Sequence, residues 1–273
     1  LEKYPEDFGA KESMIIDCNA FIGHYPFRRL SNTTVEQMVT LMDRNGIGRS
    51  IVSALPAVFY RDAHSGNRDL WEAIEKHQDR FVPIATVNPR YVGWEKDLEE
   101  ALVKWKMKGV TLVPAHHGYS LTEEIGQSAI QRVVDYGVPL ILTQRFEDRR
   151  QRHPWDVAED LEVKSVIEIA QSFPRLKLML CNWIGLDGSK LASAGLKGRC
   201  LIDFARLHVI LNRDVPKLIE SLGIEAIAFG SHAPFDYLGP SLVKLANLES
   251  LPADEFEKIS WRNAVSFFQL TGS

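Results

Sequence analysis

From Met14 onward, short apolar runs alternate with amphipathic stretches, the pattern of parallel strands covered by helices. The runs are MIIDCN (14–19), RSIVSA (49–54), FVPIATV (81–87), GVTLVP (109–114), VPLILT (138–143), LKLMLC (176–181), CLIDFA (200–205) and AIAFGS (226–231). After the first run, Val35, Met38, Val39, Leu41 and Met42 recur at helical spacing, with a cap at Asn32 or Thr33 and a stop at Gly46. Further helices are predicted over 68–77, 95–106, 128–136 and 163–172.

Eight alternating units in one chain predict an α/β protein built as a single (β/α)8 TIM barrel over 14–273, because closure removes both edges of the sheet. A doubly wound open sheet is the alternative. Against it, no G-x-G-x-x-G or G-x-x-x-x-G-K-[ST] follows a strand. Residues 1–13 read as a polar arm without the apolar centre of a signal peptide.

Composition narrows the classes. The 273 residues carry 32 basic and 36 acidic side chains, intermixed, for a net charge of -4, which argues against nucleic-acid or membrane-surface binding driven by bulk charge. Three cysteines without CxxC spacing fit reduced thiols and a cytoplasmic location. No apolar stretch approaches the ~18 residues of a membrane span. A small-molecule substrate is the expected partner, and a homo-oligomer is left open.

The segments MIIDCNAFIG, DRFVPIATVNP, KGVTLVP, YGVPLIL, FPRLKLMLCNWIG, IAFGSHAPF and FEKISWRNAVSFFQL occur in a telling order and spacing. From about Met14 to Leu270 the chain resembles the amidohydrolase-related TIM barrels, the branch with aminocarboxymuconate-semialdehyde decarboxylase and many metal-dependent hydrolases. That resemblance implies D-x-H-x-H after the first strand, a His after each of the fifth and sixth, and an Asp in G-S-D-x-P after the eighth. Here the corresponding positions hold Asn19 and Phe21, Thr143, Asn182 and His232.

Phe21 has no lone pair to offer, and Asn19 and Asn182 offer only neutral carbonyl oxygens, poor partners for zinc. The expectation is therefore that no cofactor is required, the family's divalent metal being absent or weakly bound. Cys18 and Cys181, one residue away from Asn19 and Asn182, are expected to point outward into the helix layer.

With the metal ligands replaced, His232 is the candidate general base and Asn19 and Asn182 are candidate donors to a developing oxyanion. Arg28 and Arg145 are candidates for holding an anionic substrate, with Phe21, Thr143 and Trp183 lining its cavity. Tyr25, Trp155 and Phe235 are further aromatic residues near strand ends, and Asp236 lies four residues beyond His232, within reach for fixing its tautomer. Among the arginines after the fifth run, Arg149 to Arg152 read as a loop bridged to Asp148, Asp156 and Glu159.

Three functions follow as expectations. The first is a hydrolase or decarboxylase acting on a small carboxylate-bearing substrate by metal-independent acid/base chemistry. The second is a non-catalytic relative that binds a small acid or a partner protein in the barrel mouth. The third is a conventional metal-dependent hydrolase whose ligands are rebuilt from His24, His116 or His117, His153 and His232.

Overall fold

Each apolar run becomes a strand flanked by cover helices. The computed structural model describes residues 14–207, 213–248 and 250–270. The proposed 1–13 arm and His208 lie outside them. Eight parallel strands follow one another around the sheet in chain order: β1 (Ile15–Ile22), β2 (Ile47–Ala54), β3 (Phe81–Val87), β4 (Val110–Leu112), β5 (Leu140–Thr143), β6 (Leu178–Cys181), β7 (Cys200–Asp203) and β8 (Ile227–Ala228). Closure comes from β1 meeting the segment after β8: Cys18 N–H donates to Phe229 O, Phe21 N–H to Ala233 O, and His232 N–H to Asn19 O. The fold is a single (β/α)8 barrel.

The cover helices include α1 (Val35–Arg44) and α2 (Ala63–Ala73). Helix α1 starts one residue later than the sequence predicts: Thr34 caps it, its side chain accepting from Gln37 N–H while the Gln37 side chain accepts from Thr34 N–H. Helix α2 starts ahead of the predicted 68–77, because Asp62 accepts from His64 and Ser65 N–H groups and so nucleates an earlier first turn.

Two apolar layers result. Strand residues such as Val52, Leu112, Leu140 and Leu180 pack with helix residues such as Met38, Leu70, Ile130 and Val166. Inside the barrel, Ile16, Cys18, Ile51, Val82, Ile84, Ile141, Met179, Cys181, Leu201 and Ala228 form a second cluster.

The expected outward orientation of Cys18 and Cys181 is corrected here: both face the barrel interior. The cause is local backbone. The register of β1 against β2 slips between Asp17 and Ala20, a bulge that lets Cys18 and Asn19 both reach the interior. On β6, Asn182 has φ +58°, which breaks the alternation so that Cys181 and Asn182 share the inner side. Burial pushes both thiols well above the ordinary cysteine value, so neither is a ready nucleophile. No helix among the described residues is long and apolar enough to cross a membrane.

Candidate functional site

At the C-terminal end of the barrel, β1, β6, β7 and the segment after β8 each deliver one polar side chain to a common point. His232 is fully buried there with φ +59°, a left-handed conformation that His and Asn tolerate better than branched residues. Its Nδ1 lies 3.3 Å from Asn19 Nδ2, and its Nε2 lies 2.8 Å from Phe146 O and 3.2 Å from Asn182 Nδ2. The Phe146 carbonyl can only accept, so Nε2 carries the proton and Nδ1 is left to accept from Asn19. Burial holds the imidazole below its ordinary pKa, outweighing the opposing pull of Asp236 and Asp203. It is neutral at pH 7.

Behind the imidazole stands Asp203, which accepts from Asn19 Nδ2 at 2.5 Å and from Asn182 N–H at 2.9 Å. Burial raises this carboxyl above the usual range, although its hydrogen bonds and His232 oppose the shift. Asp17 accepts from Ser231 Oγ and from the N–H groups of Ser231 and Asn19. Burial lifts its pKa to about 7 against those bonds. Gly230 permits this crowding, since a Cβ there would lie 2.7 Å from Asp203 Cβ and 3.2 Å from Asn19 Cβ.

Above His232 the mouth is closed by aromatic rings. Phe235 stacks on the imidazole with centroids 5.2 Å apart, and Phe21 meets it edge-on at 5.5 Å. Phe146 packs edge-on against Phe21 at 5.6 Å, and Tyr25 against Phe235 at 5.0 Å.

Phe146 opens the segment 144–162, which runs across the mouth and is tied down by charge. Glu147 accepts from Tyr25 Oη at 2.7 Å and pairs with Arg28 Nε. Asp148 pairs with Arg206, while Asp160 braces the segment internally through Arg145 and Arg152. Beneath it a cleft lined by His116, Thr143, Arg145 and Arg152 encloses about 20 Å³, room for a single water.

Asn19, Phe21, Asn182 and His232 are therefore brought together. Arg28 and Arg145 stand near the mouth, but each already holds a carboxylate. Thr143 lines the cleft, and its hydroxyl has no protein partner. Trp183 is not brought to the cavity: it packs between sheet and helices, and its Nε1 donates to Leu142 O.

Asp236 does not fix the His232 tautomer. Its N–H donates to His232 O in a turn, and the ring is oriented by Asn19 and Phe146 instead. Trp155 is exposed. Asp203, Tyr25 and Glu147 carry much of the site. In the sequence Tyr25 reads only as an aromatic residue near a strand end, and neither Asp203 nor Glu147 belongs to a motif that marks it; the adjacency of Glu147 to Phe146 after β5 is the available signal.

Among the described residues the histidines do not rebuild a ligand set. His116 pairs with Asp156 at 3.3 Å, and His153 stacks on Phe27. His117 turns inward to Ala57 O, with burial lowering its pKa to about 4. Among the described residues no group of three or more His, Cys, Asp or Glu side chains is placed to hold a metal ion.

No family model matches the chain, and no curated protein does. Its fold is similar to that of 5-carboxyvanillate decarboxylase LigW from Sphingomonas paucimobilis, with a TM-score of 0.72 at 16% identity over 95% of this chain and 100% of that one. The 2,6-dihydroxybenzoate decarboxylase from Rhizobium gives 0.69 at 16% identity over 95% and 99% of the two chains. A dihydroxybenzoic acid decarboxylase from Polaromonas sp. JS666, crystallised with manganese, gives 0.69 at 18% identity over 95% and 98%.

At these identities the likeness shows the fold. It also corrects the expectation of no cofactor, since several solved barrels of this shape hold manganese. In the present chain the side chains gathered at His232 offer such an ion few free lone pairs. Asn19 donates toward His232 Nδ1, Asn182 Nδ2 lies beside the protonated Nε2 and donates to Arg145 O, and Phe21 brings a side chain with no lone pair.

Proposed function

We propose that the chain is a decarboxylase-type enzyme that acts on a small carboxylate-bearing substrate in the mouth of the barrel. The observation that supports this most directly is the convergence of a neutral imidazole and two amides on one axial point. The likeness over almost the whole chain to solved decarboxylases of hydroxylated aromatic acids points the same way.

Decarboxylation exchanges a carbon–carboxylate bond for a carbon–hydrogen bond, so a proton must reach the carbon that loses carbon dioxide. With a hydroxyl-bearing acid, His232 takes the hydroxyl proton and returns it to that carbon. The bond to the carboxylate then breaks, and its electron pair stays with the ring. The N–H groups of Asn19 and Asn182 stabilise the oxygen that carries charge meanwhile. Arg28, Arg145 and Thr143 hold the carboxylate, and Phe21 supplies an apolar wall. For this the Asn19 N–H must swing from His232 Nδ1, the nitrogen that keeps the lone pair, to the substrate oxygen, and Phe146 must leave the mouth.

The assay is carbon dioxide release from 2,6-dihydroxybenzoate and 5-carboxyvanillate, with manganese supplied and after chelator treatment. The expected result is turnover that falls about 10²–10⁴-fold in His232→Asn. Equal turnover in that variant would defeat the assignment.

A second reading is a binding protein for a small acid, favoured by the filled mouth with its cleft of about 20 Å³. Saturable binding of these acids with no carbon dioxide released under either metal condition selects it.

A further inference from the structure

The residues that close the mouth are chemically those of a ligand. Phe146 places a phenyl ring against Phe21 at 5.6 Å, His116 at 5.4 Å and Phe235 at 6.0 Å, while its own carbonyl takes the His232 Nε2 proton. The next residue, Glu147, places a carboxylate between Arg28 Nε and Tyr25 Oη with only 3% of its side chain exposed. An aryl group and a carboxylate thus sit side by side, each held by the kind of partner that would recognise it in a small molecule.

We infer that Arg28 and Tyr25 form a carboxylate-binding site for an aromatic acid, and that Glu147 of the chain's own 144–162 segment occupies that site as a tethered competitor. This rests on the reading of the mouth as a carboxylate site and deepens it by naming the class of acid and the residue that excludes it.

Three further observations agree. Arg28 is 40% exposed while the Glu147 carboxylate it holds is almost covered, so the cation keeps an open side from which an entering anion can approach. Tyr25 is 1% exposed and donates its hydroxyl proton only inward, to Glu147, so withdrawal of that carboxylate leaves a buried donor in need of an acceptor. The floor under the segment is incompletely satisfied, because Thr143 Oγ1 is buried without a hydrogen-bond partner, while Arg145 and Arg152 of the segment itself pair inside it with Asp160. Exchanging the segment for a ligand therefore breaks fewer bonds there than a fully paired interface would lose.

A competitor of this kind reduces the apparent affinity by the fraction of molecules in which the site is free. Calorimetric titration with benzoate, 3-phenylpropanoate and acetate tests it on the full chain, for wild type, Glu147→Ala, Glu147→Gln and each of these combined with Arg28→Met. The expected result is that both Glu147 variants bind the two ring-bearing acids at least about tenfold more tightly than wild type. Acetate should gain less, and Arg28→Met should cancel the gain.

Unchanged affinity in Glu147→Gln with an intact circular-dichroism spectrum would overturn the inference, as would a gain that survives Arg28→Met. The Gln variant keeps the size of Glu147 but removes its charge and one of its two acceptor oxygens, so it answers the question even if the Ala variant does not fold. Tightened binding without carbon dioxide release defeats the decarboxylase reading and leaves this one standing. Turnover with the same KM in wild type and Glu147→Gln does the reverse.

Discussion

The side-chain amide of Asn19 stands between Asp203 and His232, donating to Asp203 Oδ2 at 2.5 Å and lying 3.3 Å from His232 Nδ1. Leucine has nearly the same shape and no hydrogen to give. Asn19→Leu leaves a buried carboxyl oxygen and an imidazole nitrogen each short of a donor, at a cost of about 1–3 kcal/mol. Urea unfolding reads this as a lower midpoint with an unchanged slope. A midpoint equal to that of wild type would show that the network contributes nothing to stability.

Gly230→Ala tests the crowding on the other side of Asp203. The added methyl would begin 2.7 Å from Asp203 Cβ, a distance the packed interior cannot accept without moving β7 or β1. Overpacking of this kind costs about 1–3 kcal/mol. The variant should melt several degrees lower than wild type, and equal melting temperatures would mean that the close approach relaxes freely.

The pH dependence of stability isolates Asp17. Its folded pKa of about 7 lies above the ordinary 3.8, so the folded state holds the proton more tightly than the unfolded chain. This contribution is complete below the ordinary value and is lost as pH rises through about 7, with a slope of about 1.4 kcal/mol per pH unit between the two. His232 and His117 act oppositely, because burial lowers both, and their contribution falls away as pH drops below the ordinary histidine range. The difference between wild type and Asp17→Asn should shrink steadily from pH 5 to pH 7, and parallel curves for the two proteins would refute it.

Arg149 and Arg150 of the 144–162 segment have side chains 67% and 89% exposed, yet the backbone around them is tied to the barrel through Glu147 and Asp148. Trypsin reaches such bonds only when the segment lifts. Glu147→Ala should be cut there several-fold faster than wild type, with the cleavage position read by mass spectrometry. Saturation with benzoate should not restore the wild-type rate, because the ligand replaces Glu147 and does not retie the segment. Equal rates in variant and wild type would place the restraint elsewhere.

The barrel was legible because eight apolar runs are a repeated signal: β3 spans the expected 81–87, and the shorter strands fall inside their predicted runs. The gathering at His232 was legible in part, since Asn19, Phe21 and Asn182 occupy strand ends that converge by closure. What escaped depends on backbone detail and on distant partners. Strict alternation sent Cys18 and Cys181 outward, whereas a bulge in β1 and the left-handed Asn182 turn them in. Arg28 reads as a free cation because its partner, Glu147, lies 119 residues away. Trp183 reads as a cavity wall because it follows Asn182, but the same left-handed turn sends its ring to the helix side.

Asn182 and His232, with φ near +60°, share a further consequence. Left-handed backbone admits a short roster of side chains, with Asn, Asp and His prominent among the non-glycine types. Exchanges among those three therefore leave the main chain undisturbed while transforming what the side chains can do. One substitution at either position trades an amide for an imidazole or an imidazole for a carboxylate on an unaltered scaffold. At these two points residue choice can change the chemistry of the mouth while the main chain keeps its course.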